Sequence, residues 1–315
     1  MEVIEDILDA ETEFDDVVLS VGSFDGVHRG HRRILREVIE TAAREGGLPA
    51  VLTLRPHPRQ VFSPEHPTNL LTTHQQKLRL FEESGIEVTF VLRFDAETAA
   101  LGPLDFLDRV ICRGCRAKRL VIGHDFRFGQ GAQGDYDFLE AHAGRFGFEV
   151  RQVPPLFIEG ERVSSTLIRE QVLQGDLERV TMFLGRPYAL VGPVVPGHGI
   201  GAALGFPTAN IQPENAAIPA HGVYAAQAVL DGTRHAAAVN IGIAPTIRQR
   251  DITVEAHILD FHEDIAGRLV EVVFLKHLRP ERKFPTRKAL TDQIREDILQ
   301  VKAFFDSDSS FLETR

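Results

Sequence analysis

Apolar and polar positions along this chain keep one rhythm through the first half and another through the second. Val17, Val18, Leu19 and Val21 form a short apolar run that predicts a buried strand, and Ile34, Leu35, Val38, Ile39 and Ala42 then recur at helical spacing. Gly46-Gly47 ends that helix, and residues 50–54 read as the next buried strand. The alternation continues with a helix over 74–84, a strand over 87–92, a helix over 104–112, and strands over 119–122 and 148–153. Strand and helix taking turns predict right-handed crossovers and a mostly parallel, doubly wound sheet.

Two further helices, one ending near Leu173 and one over 177–184, close this half. From Gly185-Arg-Pro-Tyr188 onward the grammar changes. Short β-like runs at 188–195, 222–230, 236–241, 254–259 and 269–278 are broken by Gly, Pro, Asn and Asp. They predict a small antiparallel β-barrel with a capping amphipathic helix over 286–305. The fold class expected is therefore α/β plus β, divided near Arg186 into domains 1–185 and 186–315. The polar tail 306–315 is expected to fray.

The passage out of the first strand, Gly22-Ser-Phe24-Asp-Gly-Val-His28-Arg-Gly30-His31, puts two histidines at the mouth of a helix. Unpaired backbone N–H groups and the helix dipole favour an anion there. Gly22, Gly26 and Gly30 allow close approach, and Arg29, Arg32 and Arg33 add charge. The run matches neither the P-loop nor the Gly-x-Gly-x-x-Gly turn, so the imidazoles become the groups expected to stabilise charge during phosphate transfer. The bland alternative is that His28 only caps the helix and His31 sits on a polar surface.

Other stretches carry chemistry of their own. Arg55-Pro-His57-Pro58 fixes the backbone at a strand end and aims His57 at the crevice side of an open sheet, unless it is a turn and nothing more. Gly123-His-Asp125-Phe126-Arg-Phe128-Gly129 and the glycines to Gly134 suit a loop folding over a flat ligand and its phosphates; a mobile surface loop is the alternative. Ser164, Ser165 and Thr166 can cap a helix while Arg169, one turn in, turns back to the same mouth, so capping and anion binding hold together. In the second half, Gly197-His-Gly199-Ile-Gly201 leads to Gly205-Phe-Pro-Thr208-Ala-Asn210. Its glycines can wrap phosphates, and the Thr208 hydroxyl and Asn210 amide oxygen suit magnesium, although a glycine-rich barrel loop can equally be structural. Glu255 alternates with Val254, Ala256 and Ile258 and by itself reads as an outward charge on a strand.

Composition narrows the partners. A chain of 315 residues, 43% hydrophobic and 25% charged, belongs to the ordinary globular class with room for two cores. A net charge of −10 argues against a broad nucleic-acid or anionic-membrane surface, so phosphate affinity must be local. Cys112 and Cys115 are the sole cysteines, and Cys112 falls with Phe106, Leu107, Val110 and Ile111, which favours packing over metal or redox work. Residues 1–16 lack the pattern of a signal peptide, and no apolar run is long enough to cross a bilayer. A cytoplasmic protein with small-molecule partners is expected.

In order, and over nearly the whole chain, these motifs resemble those of the bifunctional bacterial riboflavin kinase/FMN adenylyltransferases, the prokaryotic FAD synthetases. Gly22 to His31 resembles the His-x-Gly-His signature of nucleotidyltransferases, and Ser164-Ser-Thr-x-x-Arg169 resembles the motif completing their ATP site. Gly205-Phe-Pro-Thr-Ala-Asn210 resembles the riboflavin kinase motif, and the matches continue at 222–225, 240–246, 254–261 and 278–284. The resemblance implies a Rossmann-like nucleotidyltransferase domain followed by a kinase barrel. It implies that ATP phosphorylates riboflavin to FMN, and that AMP from a second ATP then gives FAD and pyrophosphate, with Mg2+. By the same resemblance His28, His31 and Arg169 are catalytic in adenylyl transfer, and Glu255 is the general base of the kinase. ATP would touch Gly22, Phe24, Gly30, Ser164, Ser165, Thr166, Gly197, Gly199 and Gly201; flavin would touch His57, Asp125, Phe126, Phe128 and Arg279; Thr208 and Asn210 would bind the metal. The chain departs from the family at Ala132, Ile200, Ala202 and Ala244, where basic residues are usual, and at Ala266, where a tyrosine is usual. An adenylyltransferase with a weak or inactive kinase half, and a non-catalytic flavin-binding regulator, are the two alternatives. Self-association is left open.

Overall fold

Six strands form one sheet: β1 (Glu2–Ile4), β2 (Val17–Val21), β3 (Leu48–Arg55), β4 (Val88–Arg93), β5 (Ala117–Gly123) and β6 (Glu149–Val153). In this computed structural model, which describes residues 1–8, 10, 13–62, 69–197, 199–245 and 250–307, they run in the order β1-β4-β3-β2-β5-β6. Every pairing is parallel. Thr246 of the 240–246 motif and the tail 308–315 lie outside the described residues.

Continuous apolar strands are what a sheet covered on both faces requires. Val18, Val51 and Val121 point to one core, under the helices Arg29–Glu45 and His74–Glu83 with Leu35, Val38, Leu80 and Phe81. Their neighbours Leu19, Leu52, Leu120 and Ile122 point to the other, with Phe90, Leu107, Val110 and Leu139. Because β3 lies on one side of β2 and β5 on the other, the chain changes direction at β2. In open α/β sheets the crevice beyond the strand ends at such a point is where ligands bind.

Several elements differ from the sequence-based expectation. β1 and the hairpin of β7 (Phe157–Ile158) and β8 (Glu161–Arg162) were too short to leave a periodic signal. The helix expected at 104–112 spans Pro103–Asp105 and Phe106–Gly114 and ends in a wide turn, with the Cys115 N–H donating to Val110 O five residues back at 2.8 Å. Cys115 is buried in the core, and Cys112 is half-buried and packs against the same cluster as Phe106, Leu107, Val110 and Ile111, the packing role its position predicts. Burial raises both thiols, that of Cys115 well above the usual range.

The second half closes into a barrel of β9 (Tyr188–Val195), β10 (Ala209–Ile211), β11 (Gly222–Leu230), β12 (Thr233–Pro245), β13 (Arg250–Ile258) and β14 (Leu269–Pro280). Its order is β10-β13-β12-β11-β14-β9, antiparallel throughout. Period-2 alternation fills the interior: Tyr188, Leu190 and Val194 on β9, Val254 and Ala256 on β13, Val270, Val272 and Phe274 on β14. The helix Arg287–Ser307 lays Val301 and Phe305 against Ala225 and Leu259 on the outside.

By contacts the chain forms two compact units, Met1–Thr68 with His74–Ser165 and Asn69–Thr73 with Thr166–Arg315. Asn215, 2% exposed, explains how a piece of the N-terminal sequence enters the second unit. Its Oδ1 accepts from Val191 N at 2.9 Å, and its Nδ2 donates to Leu71 O at 3.0 Å and Ala189 O at 3.4 Å. Ala217 N adds a bond to Leu70 O at 3.1 Å. A buried amide serving several backbone groups leaves them unsatisfied when removed. Asn215→Ala is expected to lower stability by about 2 kcal/mol, since an orphaned buried polar group costs on the order of 1–3 kcal/mol. Urea unfolding followed by circular dichroism checks this; an unchanged midpoint would remove Asn215 from that role.

Candidate active sites

β2 ends at the switch point, and the turn Gly22–His28 carries the chain into the helix Arg29–Glu45. Phe24 and Val27 adopt left-handed backbone angles (φ 50° and 37°) beside Gly26 at 82°, an arrangement that must be held in place by its surroundings. His28 is the N-cap: its Nδ1 accepts from His31 N at 3.2 Å. The two imidazoles stack with centroids 3.5 Å apart and 16° between planes, and the Phe24 ring meets His31 edge-on at 5.2 Å. The capping role of His28 and its place beside His31 therefore coexist. A side chain at Gly30 would press on the His28 ring at 3.1 Å and lie 3.7 Å from Val163 O, so the Ser164–Ser165 segment runs directly past the histidine pair. Ser165 Oγ donates to Asp25 O at 2.9 Å. Gly22 N–H remains tied to Leu52 O on β3 at 3.0 Å.

One residue that the sequence reading passed over lies under this turn. Lys77, on the helix His74–Glu83, is buried, and its Nζ donates to Ser23 O at 2.9 Å and Thr53 Oγ1 at 3.0 Å. Burial pushes its ammonium down to about 8; Asp25 opposes the shift and Arg55 adds to it. A signal was present: Lys77 stands three and four residues before Leu80 and Phe81, on the apolar face.

After β5, Asp125 is exposed, with Oδ2 3.7 Å from Arg162 Nη1 and Oδ1 3.8 Å from His124 Nδ1. Arg162 Nη1 also meets His124 Nε2 at 2.9 Å, so the β7–β8 hairpin holds this loop. Phe126 is half-buried and stacks at 5.5 Å on Phe128, whose ring belongs to the core with Phe106 and Phe138. His57 Nδ1 accepts from Arg59 N at 3.2 Å and caps the short helix Pro58–Phe62. In the second unit, Thr166 is exposed in the first turn of the helix Ser165–Gln174, and Arg169 donates from Nε to Asn69 O at 2.7 Å.

The barrel site is built by register. Asn210 on β10 and Asn240 on β12 are both paired with Glu255 on β13, so the three side chains share one face of adjacent strands. Val254 and Ala256 face inward, and Glu255 lies half-buried on the outer face, where an isolated charged residue would read as mere solvation. The loop before β10 packs closely on this row. A Cβ on Gly197 would fall 1.9 Å from Asn210 Nδ2, and one on Gly201 would fall 2.5 Å from Phe206 O and 3.1 Å from Thr208 Oγ1. Gly199 is exposed with φ 68°. His257 Nδ1 bonds Pro207 O at 2.8 Å and ties the loop to β13.

Thr208 and Asn210 offer neutral oxygens beside a glycine-lined approach, a donor set that fits a magnesium ion sharing its shell with phosphate oxygens and water. No group of three or more His, Cys, Asp or Glu ligands occurs among the described residues. Arg279 is held by Asp297 through paired bonds of 2.8 and 2.7 Å, with Gln293 donating to the same carboxylate. Asp297 was missed by the sequence reading, although it precedes Val301 and Phe305 at intervals of four on the buried face of its helix. Ala202 and Ala266 are exposed.

Comparison with known proteins agrees with this geometry. A family model described as FAD synthetase matches residues 10–167, and one described as riboflavin kinase matches residues 184–305. The bifunctional riboflavin kinase/FMN adenylyltransferase of Escherichia coli (strain K12) is 36% identical over 290 residues, covering 91% of this chain and 92% of its own. That of Haemophilus influenzae is 36% identical over 309 residues, covering 98% and 100%. A solved structure described as a macrolide-efflux protein from Streptococcus pneumoniae shares the fold at a TM-score of 0.87 and 29% identity, over 96% of this chain and 99% of that one. Among the described residues, no helix is long and apolar enough to cross a membrane. With family models matching both halves, and with relatives this similar along almost all of its length, the chain belongs to the bifunctional riboflavin kinase/FMN adenylyltransferase family.

Proposed function

We infer that this chain makes FAD from riboflavin in two ATP-dependent steps, phosphorylation in residues 186–315 and adenylyl transfer in residues 1–185. The observation that carries the reading is the presence of two separate sets of reactive groups: the stacked His28–His31 pair at a helix mouth, and Glu255 registered between Asn210 and Asn240. In the kinase step Glu255 accepts the proton of the ribityl hydroxyl as that oxygen bonds to the γ-phosphorus of ATP and ADP leaves. Asn210 and Asn240 keep the carboxylate in line, and the glycines of 197–201 leave room for the phosphates. A magnesium ion held by Thr208 and Asn210 would offset the phosphate charge.

In the adenylyl step an FMN phosphate oxygen bonds to the α-phosphorus of ATP, and the α–β bridge breaks to release pyrophosphate. The nucleophile is already an anion, so orientation and charge stabilisation carry this step. His28, His31 and Arg169 supply the charge stabilisation, and Gly22, Phe24, Gly30, Ser164, Ser165 and Thr166 supply the cradle. Asp125, His57 and the Phe126 ring face the flavin, with Phe128 supporting Phe126 from the core; Arg279, fixed by Asp297, orders the flavin side of the barrel. A cytoplasmic location goes with the use of two ATP per product. A weaker kinase half is the second reading, favoured by the exposed Ala202 and Ala266 where the family has a cation and a ring.

A chromatographic time course with riboflavin, ATP and magnesium is expected to pass through FMN to FAD, and conversion of FMN alone would favour the second reading. His28→Ala with His31→Ala should slow FMN-to-FAD conversion by about 100-fold or more, the scale of lost transition-state donors, and leave riboflavin phosphorylation intact. Glu255→Gln should do the reverse, lowering FMN formation by about 100- to 10,000-fold, the range for a lost general base, with FAD formation from FMN unchanged. Equal losses in both reactions from either change would sink the division of labour.

A further inference from the structure

Lys77 is a buried ammonium that neither reaction has absorbed. It is 7% exposed, and its two acceptors belong to neighbouring strands: Ser23 O just past β2, and Thr53 Oγ1 on β3. Thr53 is fully buried, and its own hydroxyl lies 3.5 Å from Ser23 O. A charge this deep is costly unless its bonds do something the fold needs. A lysine with only this purpose could be replaced by an apolar side chain on a face already lined by Leu80 and Phe81.

What it does to the backbone follows from peptide geometry. The Ser23–Phe24 bond is trans, and a planar trans peptide points its C=O and the next N–H in opposite directions. With the Ser23 carbonyl drawn down to Lys77, the Phe24 N–H points up, away from the helix that carries the ammonium. No acceptor among the described residues takes that N–H. Phe24 itself is held in the left-handed region at φ 50° with its ring against His31. The peptide cannot rotate while both ends are fixed.

Resting on the reading that the His28–His31 turn binds ATP, we propose that Lys77 is the positioning residue of that turn, holding the Ser23 carbonyl so that the Phe24 N–H faces the ATP phosphates. The ammonium also leaves a positive charge beneath the place where phosphate charge accumulates, with Asp25, Arg55 and His74 as its charged or titratable neighbours. Lys77 touches neither nucleotide nor flavin in this account; it acts through the peptide.

The test uses the full chain, with Lys77→Met as the variant. In FMN-to-FAD conversion the KM for ATP should rise about ten-fold or more, while the KM for FMN stays within about two-fold; a lysine that only braced the fold would damage both alike. Riboflavin phosphorylation by the same preparation reports whether the chain is intact. A folded variant with a wild-type KM for ATP overturns the proposal. If Lys77→Met does not fold, the wild-type protein decides. In a sample labelled with 15N-phenylalanine, the Phe24 amide, assigned by its loss in Phe24→Leu, should move downfield and saturate as ATP is added; an amide that stays put overturns the proposal. Failure of the wild type to make any FAD would count against the proposed function instead, and the Phe24 response to ATP would still judge Lys77.

Discussion

Burial of β2 between two parallel neighbours is the constraint from which the first site follows. All five residues of β2 are buried, β3 pairs along one edge and β5 along the other, and helices cover both faces. A strand so enclosed can reach water only at its ends, and the crossovers that leave to either side open a crevice at its carboxyl end. Gly22, Ser23 and Phe24 begin there because the strand can go no further. The positive-φ turn that follows would unwind in isolation; in the protein it is fastened from below by Lys77 and from the side by Ser165. The histidine pair inherits its geometry from those fastenings as much as from the helix it caps.

In the barrel the corresponding constraint is closure. Six antiparallel strands with a filled interior have no freedom of register, because a slip by one residue would turn Val254 and Ala256 outward and Glu255 into the core. Closure therefore fixes Glu255 between Asn210 and Asn240 more firmly than any local bond does. The same closure brings β10, only three residues long, into the sheet, and with it the loop that packs Gly197 and Gly201 against the candidate metal ligands.

Both units also spend burial on charge near their sites. Arg279 and Asp297 form a paired, mostly buried ion bridge that fastens the helix Arg287–Ser307 beside the barrel strands, and Lys77 fastens a turn. Neither arrangement is an efficient way to gain stability, since desolvation consumes much of the attraction. Each instead fixes an orientation that an apolar contact would leave loose, and each lies next to residues expected to meet substrate.

Periodicity alone determined the class of each half: apolar runs alternating with helical spacing demand a two-sided parallel sheet, and short alternating runs demand an antiparallel enclosure. Glycine spacing and the placement of His28, His31, Thr208 and Asn210 were equally local, so the sequence carried them. Glu255 was different, because an alternating strand gives every outward residue the same signature and only the barrel's register sets it beside Asn210 and Asn240. The entry of Asn69–Thr73 into the second unit through Asn215, and the seat of Lys77 under Ser23, join residues 144 and 54 positions apart, respectively. Such pairings depend on distance in space and on which polar groups are left buried without a partner. A linear pattern of hydrophobic and polar residues records neither, so tertiary packing alone decided them.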